Sequence, residues 1–166
     1  MSGGHLRLQQ YAGDMSGGTA NAFNVLLQNA PEGCAWTATT RIDVTALDTQ
    51  GDQAGLILWR SETPYFNFSK VVYNRRNNNQ WWVERSNTVG GVATAVGNTA
   101  IANAPTHVYI RISVTADGLV QPERSTDGTT WTAVGNAYSV AGHQQLKVGL
   151  AFFGSNSFRQ AAYDYF

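Results

Sequence analysis

Seven aromatic residues fall within the 24 residues from Trp59 to Trp82, among arginine, lysine, asparagine and glutamate side chains. Flat rings can stack on the apolar faces of sugars, and polar neighbours can hydrogen-bond to sugar hydroxyls. A hydrophobic core explains the rings but not so many polar neighbours. The stretch therefore predicts a carbohydrate-binding face, with ordinary packing as the alternative for individual rings.

Alternation sorts these residues between core and outward face, because successive strand side chains point to opposite sides. The apolar alternate positions predict Leu56 and Leu58 in the core, so Trp59 points outward. The same reasoning assigns Phe66 and Phe68 to the core. Arg75 is expected to reach the rim from a loop, with a solvated charge as the alternative. The predicted ligand-binding set is Trp59, Tyr65, Asn67, Tyr73, Arg75, Trp82, Glu84 and Arg111.

The acids are poorly arranged for hydrolysis of a glycosidic bond. A retaining glycosidase needs two carboxyls about 5–5.5 Å apart, and an inverting one needs them about 6.5–9.5 Å apart. Glu84 has no acid two or three residues away, which leaves Glu123 as its distant partner. His107, Tyr109 and Arg111 share one strand face, a grouping also found in polysaccharide lyases, but no other strand carries a lyase pattern. Catalysis is therefore the less favoured alternative.

The composition limits the classes of partner and site that the chain can have. The chain has 166 residues, 43% hydrophobic residues, 13% charged residues and a formal net charge of zero. Nucleic-acid binding needs a clustered basic excess, so we expect no nucleic-acid partner. Apolar runs stay far below the roughly 20 residues of a membrane-spanning helix, so we expect no membrane partner. Cys34, the one cysteine, excludes an intramolecular disulfide, and no zinc-type spacing occurs.

Period-2 alternation recurs along the chain, and no segment shows a helical period. Residues 107–114 alternate cleanly between apolar and polar side chains. Turn formers separate the strand-like runs, among them Asp117-Gly118 and Asp127-Gly128, and Asp-Gly is a strong hairpin signal. About eleven short strands with such punctuation predict one all-β domain over residues 1–166, an antiparallel sandwich or barrel. The opening residues Met1-Ser2-Gly3-Gly4-His5 are typical of the edge of a domain excised from a larger protein.

Several segments resemble the concanavalin A-like domains of family 43 glycoside hydrolases and related bacterial carbohydrate-binding modules. The strand pair Gly51–Trp59 and Tyr65, the hairpin Ser125–Trp131, and the strand Tyr109–Ile112 each match a motif of those domains. Val148–Ala151 and the closing Ala161–Phe166 match their ends. The resemblance covers roughly residues 20–166 and implies a jelly roll of two antiparallel sheets.

The resemblance also implies a function, which we state as expectations. The chain is expected to be a secreted, non-catalytic module that binds a polysaccharide or oligosaccharide, covalently linked to a catalytic domain. No cofactor is required, but jelly-roll modules often bind a structural Ca²⁺ with oxygen ligands. Asp164 and Asp14 resemble such ligands, whereas Asp127 is expected to close a turn. The alternatives are a catalytic jelly-roll hydrolase or lyase, and a laminin G-like protein-interaction domain.

Overall fold

A computed structural model describes residues 6–9, 25–45, 47, 51–62, 65–76, 80–89, 92–101, 105–142, 145–154 and 160–164. Within these ranges only the backbone is described for residues 60–62, 65–71, 73–76, 80–89 and 92–99. These residues form thirteen strands and no helix. In chain order the strands are β1 (Leu6–Gln9), β2 (Val25–Asn29), β3 (Trp36–Asp43), β4 (Gln53–Glu62), β5 (Tyr65–Arg76), β6 (Gln80–Val89), β7 (Val92–Ile101), β8 (His107–Val114), β9 (Leu119–Ser125), β10 (Thr132–Ala133), β11 (Tyr138–Ser139), β12 (Lys147–Phe153) and β13 (Gln160–Tyr163).

The strands make two antiparallel sheets. The seven-stranded sheet has the order β1-β13-β3-β8-β9-β10, and β11 also pairs with β9. The six-stranded sheet has the order β2-β12-β4-β5-β6-β7. The predicted two-sheet all-β sandwich is confirmed. Among the described strands, β7 and β11 were not predicted, because β7 is rich in small residues without bulky alternation and β11 has only two residues.

The core lies between the sheets and follows the predicted alternation of β8. Val108, Ile110 and Ile112 are buried in one cluster with Leu56 and Leu58 of the six-stranded sheet. Each such side chain contributes about 1.5–3 kcal/mol when it leaves water. The two sheets are therefore held together mainly by aliphatic contacts, and their other faces form the exterior of the sandwich.

The strand ends are closed by tight turns at the predicted Asp-Gly positions. Gly118 has a φ of 81°, and a Cβ there would lie 2.9 Å from the backbone nitrogen of Ala141. The turn between β8 and β9 therefore requires glycine for both conformation and space. In the next loop, Asp127 Oδ1 accepts hydrogen bonds from the amides of Thr129 and Thr130 at 2.8 and 2.7 Å. The predicted turn-closing role of Asp127 is confirmed.

Candidate functional site

The register of β4 against β5 decides which predicted ligand residues share a face with Trp59. Trp59 is paired with Phe68, and Leu58 is paired with Ser69. Directly paired residues of antiparallel strands lie on the same face of the sheet. The position of Phe68 is therefore on the exterior face with Trp59, and the assignment of Phe66 and Phe68 to the core face is wrong.

The same register moves the odd-numbered positions of β5 to the core-facing side. Tyr65, Asn67 and Tyr73 pair with Glu62, Arg60 and Ala54, which alternate with Trp59. Their predicted position on the face of Trp59 is therefore wrong, although their side chains lie outside the described part of the structure. Only two residues separate the paired Glu62 and Tyr65, and so short a connection fixes the register.

Arg75 was expected in a loop but lies in β5, paired with Trp81 of β6. The predicted faces of β6 agree with the register. Trp82 pairs with Asn74, and Glu84 pairs with Val72, which puts both positions on the face of Trp59. Trp59, Trp82 and Glu84 thus remain together as positions on the exterior face of the six-stranded sheet.

That exterior face also carries a small apolar cluster. Ile57, Val72, Ala151 and Phe153 are each no more than 2% exposed, and Trp59 packs against them while keeping partial exposure. These four buried side chains are therefore not available to a ligand, whereas Trp59 keeps accessible surface. Part of the aromatic and aliphatic richness of this stretch is therefore packing, as the alternative interpretation held.

Arg111 lies on β8 in the seven-stranded sheet, so its exterior face is on the opposite side of the sandwich from Trp59. The prediction that these two residues share one binding face is wrong, because strand alternation does not reveal which sheet a strand joins. Arg111 Nε donates to Glu123 Oε2 at 2.7 Å, and its guanidinium lies 4.0 Å from the ring centroid of Trp131. Ser113 Oγ also donates to Glu123 at 3.2 Å.

This arrangement gives a structural reason for the glycine and the tryptophan of the hairpin motif Ser125–Trp131. The sequence did not predict that Trp131 lies near Arg111. A Cβ at Gly128, where φ is 76°, would meet the Tyr109 ring at 3.1 Å. Gly128 thus lets the loop lie on Tyr109 while Trp131 covers Arg111, a cation–π contact. Glu123, the proposed distant partner of Glu84, is bound within this cluster on the other side of the sandwich.

The metal prediction concerned Asp164 and Asp14. The carboxylate of Asp164 accepts a hydrogen bond from Arg41, and this bond raises the pKa of the Arg41 guanidinium above its usual value. Asp14 lies outside the described residues. Within those residues no group of three or more His, Cys, Asp or Glu side chains could hold a metal ion. The calcium site stays a prediction.

No helix in the described ranges has the length and apolarity needed to cross a membrane.

A model of the β-xylosidase C-terminal concanavalin A-like domain family matches residues 1–166. The structure is similar to a bifunctional GH43-CE protein of Bacteroides eggerthii, with a TM-score of 0.76 and 21% identity over 99% of this chain and 21% of that protein. It is also similar to the GH43 protein BlXynB of Bacillus licheniformis, with a TM-score of 0.75 and 16% identity over 97% of this chain and 32% of that protein. A third similar structure is a xylan β-1,4-xylosidase of Bacillus halodurans, with a TM-score of 0.74 and 16% identity over 97% of this chain and 32% of that protein. The chain therefore spans about a fifth to a third of the length of these three structures.

No curated protein matches the chain.

Proposed function

Because the chain belongs to the family of β-xylosidase C-terminal concanavalin A-like domains, we propose that it is a non-catalytic accessory module of a carbohydrate-active enzyme. One observation carries the proposal. Nearly the whole chain corresponds to only 21–32% of each of the three similar structures named above, which leaves most of such a protein for a separate catalytic domain. The partner of this module is then a covalently linked catalytic domain, in a secreted enzyme.

The module's contribution is to bind the polysaccharide on which the attached domain acts. The positions of Trp59, Trp82 and Glu84 in the register share an exterior sheet face, which supports the proposal of contact with sugar rings and hydroxyls there. Linkage to such a face raises the effective concentration of substrate at the catalytic domain without changing the chemistry. Xylan is the first polysaccharide to test, because one similar structure is a xylan β-1,4-xylosidase.

The positions of the acids favour this function over hydrolysis by the module itself. Glycoside hydrolysis requires two carboxyls within about 10 Å on one site. Glu84 occupies an exterior position in the register of the six-stranded sheet, while Glu123 is on the exterior of the seven-stranded sheet and is paired with Arg111. This pair therefore does not form a common site.

Affinity electrophoresis of the 166-residue chain in gels containing xylan tests the proposal. We expect xylan to retard the chain, and Trp59→Ala or Trp82→Ala to weaken binding by about tenfold, the cost of losing one dominant aromatic contact. Trp131→Ala is the matched control, since it removes a tryptophan from the opposite side of the sandwich and should leave retardation unchanged.

Two results would contradict the proposal. Release of reducing sugars from xylan by the purified chain would make the module catalytic. Unretarded migration in xylan and in a panel of other plant, fungal and fructan polysaccharides would remove the carbohydrate-binding role and favour the laminin G-like alternative.

A further inference from the structure

A groove of about 300 Å³ opens at one end of the sandwich, away from the exterior sheet faces. Its walls come from the connection from β2 to β3, the turn from β8 to β9, and residues 140–142 and 146 between β11 and β12. Its larger apolar lining residues are Trp36, Val114, Val140 and Leu146. This volume is at the lower end of the range of small-molecule sites, about 300–1,000 Å³, and suits one or two sugar rings.

The groove walls are fixed by hydrogen bonds before any ligand arrives. The amide of Val140 donates to the carbonyl of Gly118 at 2.8 Å, which ties the β8–β9 turn to the segment after β11. The amide of Ala30 donates to the carbonyl of Leu146 at 2.8 Å, which ties the β2–β3 loop to the start of β12. A preformed site avoids much of the entropic cost of ordering loops on binding.

The charged side chains that line the groove determine which ligand charge it can accept. Among the described residues that line the groove, the charged ones are Glu32 and Asp117, and both are acidic. Asp117 accepts a hydrogen bond from Thr115 through one carboxylate oxygen, and its second oxygen can accept another. Trp36, which is partly exposed, supplies a flat apolar surface beside these acceptors.

We propose that this groove is a second sugar site that binds a neutral saccharide unit and rejects acidic sugars. The inference rests on the proposed carbohydrate-binding function but assigns different residues. Hydroxyl groups donate to the carboxylates of Glu32 and Asp117, while the apolar face of the sugar ring lies on Trp36. A uronic acid brings a third negative charge beside Glu32 and Asp117, and like charges repel.

Cys34 provides a local readout, because it lines the groove, is exposed and is the chain's one cysteine. The rate of Cys34 alkylation is measured in the presence of a neutral xylo-oligosaccharide, an oligogalacturonate or tetramethylammonium. We expect the neutral oligosaccharide alone to slow alkylation. Protection by tetramethylammonium but not by xylo-oligosaccharide would mean a cation site and overturn the inference, as would protection by oligogalacturonate alone.

Variants separate this site from the Trp59 face. Glu32→Lys changes an exposed loop residue and should weaken oligosaccharide protection of Cys34 by about tenfold or more. Trp36→Ala should do the same, but Trp36 also packs against the core, so Glu32→Lys is the decisive variant. Trp59→Ala is the matched control and should leave protection unchanged.

The failures of the two proposals are distinguishable. Retardation by xylan with no protection of Cys34 overturns the groove and leaves the accessory module's binding role intact. Protection of Cys34 that survives Glu32→Lys places the oligosaccharide elsewhere and also overturns the groove. Absence of both retardation and protection contradicts both proposals.

Discussion

At the scale of single residues, the loop after β9 is organised by Asp127. Its Oδ1 atom accepts from the amides of Thr130 and Thr129 and from the hydroxyl of Ser125. These bonds favour the ionised carboxyl and hold the pKa of Asp127 well below its usual range. The Ser125 hydroxyl in turn accepts from the amide of Gly128 at 2.9 Å. The turn thus depends on a charged acceptor.

Acidification should therefore weaken the fold through Asp127. Because its folded-state pKa lies below the unfolded value of about 3.9, the stabilisation is complete above that pH and is lost as pH falls below it. Asp127→Asn should remove this part of the acid dependence and lower stability at neutral pH. The measurement is the free energy of unfolding in urea from neutral to acid pH.

Glu32→Gln is the control for the Asp127 experiment, because it removes an exposed carboxyl from another loop. We expect it to leave the acid dependence of the parent chain in place. Identical pH profiles for the parent chain and Asp127→Asn would show that the turn does not depend on the charge.

At the scale of elements, β2 lies unusually close to β12 at Gly149. A Cβ on Gly149 would overlap the carbonyl oxygen of Leu26 and lie 2.9 Å from the Cα of Leu27. Both neighbours are backbone atoms, which cannot rotate away as a side chain can. The glycine of the Val148–Ala151 segment is therefore needed for β2 to join the six-stranded sheet.

Gly149→Ala should separate β2 from β12 and destabilise the chain by about 3 kcal/mol or more, at or beyond the usual upper cost of overpacking. Thermal and urea unfolding measure the loss, and hydrogen exchange of β2 amides localises it. Gly142→Ala adds a methyl group in open space at a φ of 78° and should cost only the backbone strain, about 1–2 kcal/mol. Equal costs for the two variants would contradict the close approach.

The strands also show how far the sequence determines the site. In β8 all bulky apolar residues fall on alternate positions, and the structure buries them as predicted. In β5 aromatic residues occupy both sets of alternate positions, so hydrophobicity cannot choose a face. The choice comes from pairing with β4, a non-local interaction.

Two other parts of the site depend on non-local structure. Alternation along β8 placed Arg111 outward but could not reveal that β8 and β4 belong to different sheets. The groove is formed by three loops distant in sequence, so no periodicity predicts it.

At the scale of the whole molecule, a polar contact of Tyr163 crosses the mainly apolar interface between the sheets. Tyr163 of β13 is 1% exposed, and its hydroxyl donates to the carbonyl of Ala151 in β12 at 2.7 Å. Burial raises the pKa of Tyr163 above its usual range, because the phenolate would lose its hydration. The bond to the Ala151 carbonyl therefore exists only while the hydroxyl keeps its proton.

Tyr163→Phe should lower the free energy of unfolding at neutral pH by about 0.5–1.5 kcal/mol, the net value of one hydrogen bond. It should also change the alkaline response. The folded-state pKa lies above the unfolded value of about 10, so the stabilisation is complete below that pH and is lost as pH rises beyond it. Urea unfolding across the alkaline range should show a smaller loss for Tyr163→Phe than for the parent chain. Tyr109→Phe, on the exterior of the seven-stranded sheet, should keep the parent's alkaline loss, and the same loss in all three proteins would contradict a proton-dependent link between the sheets.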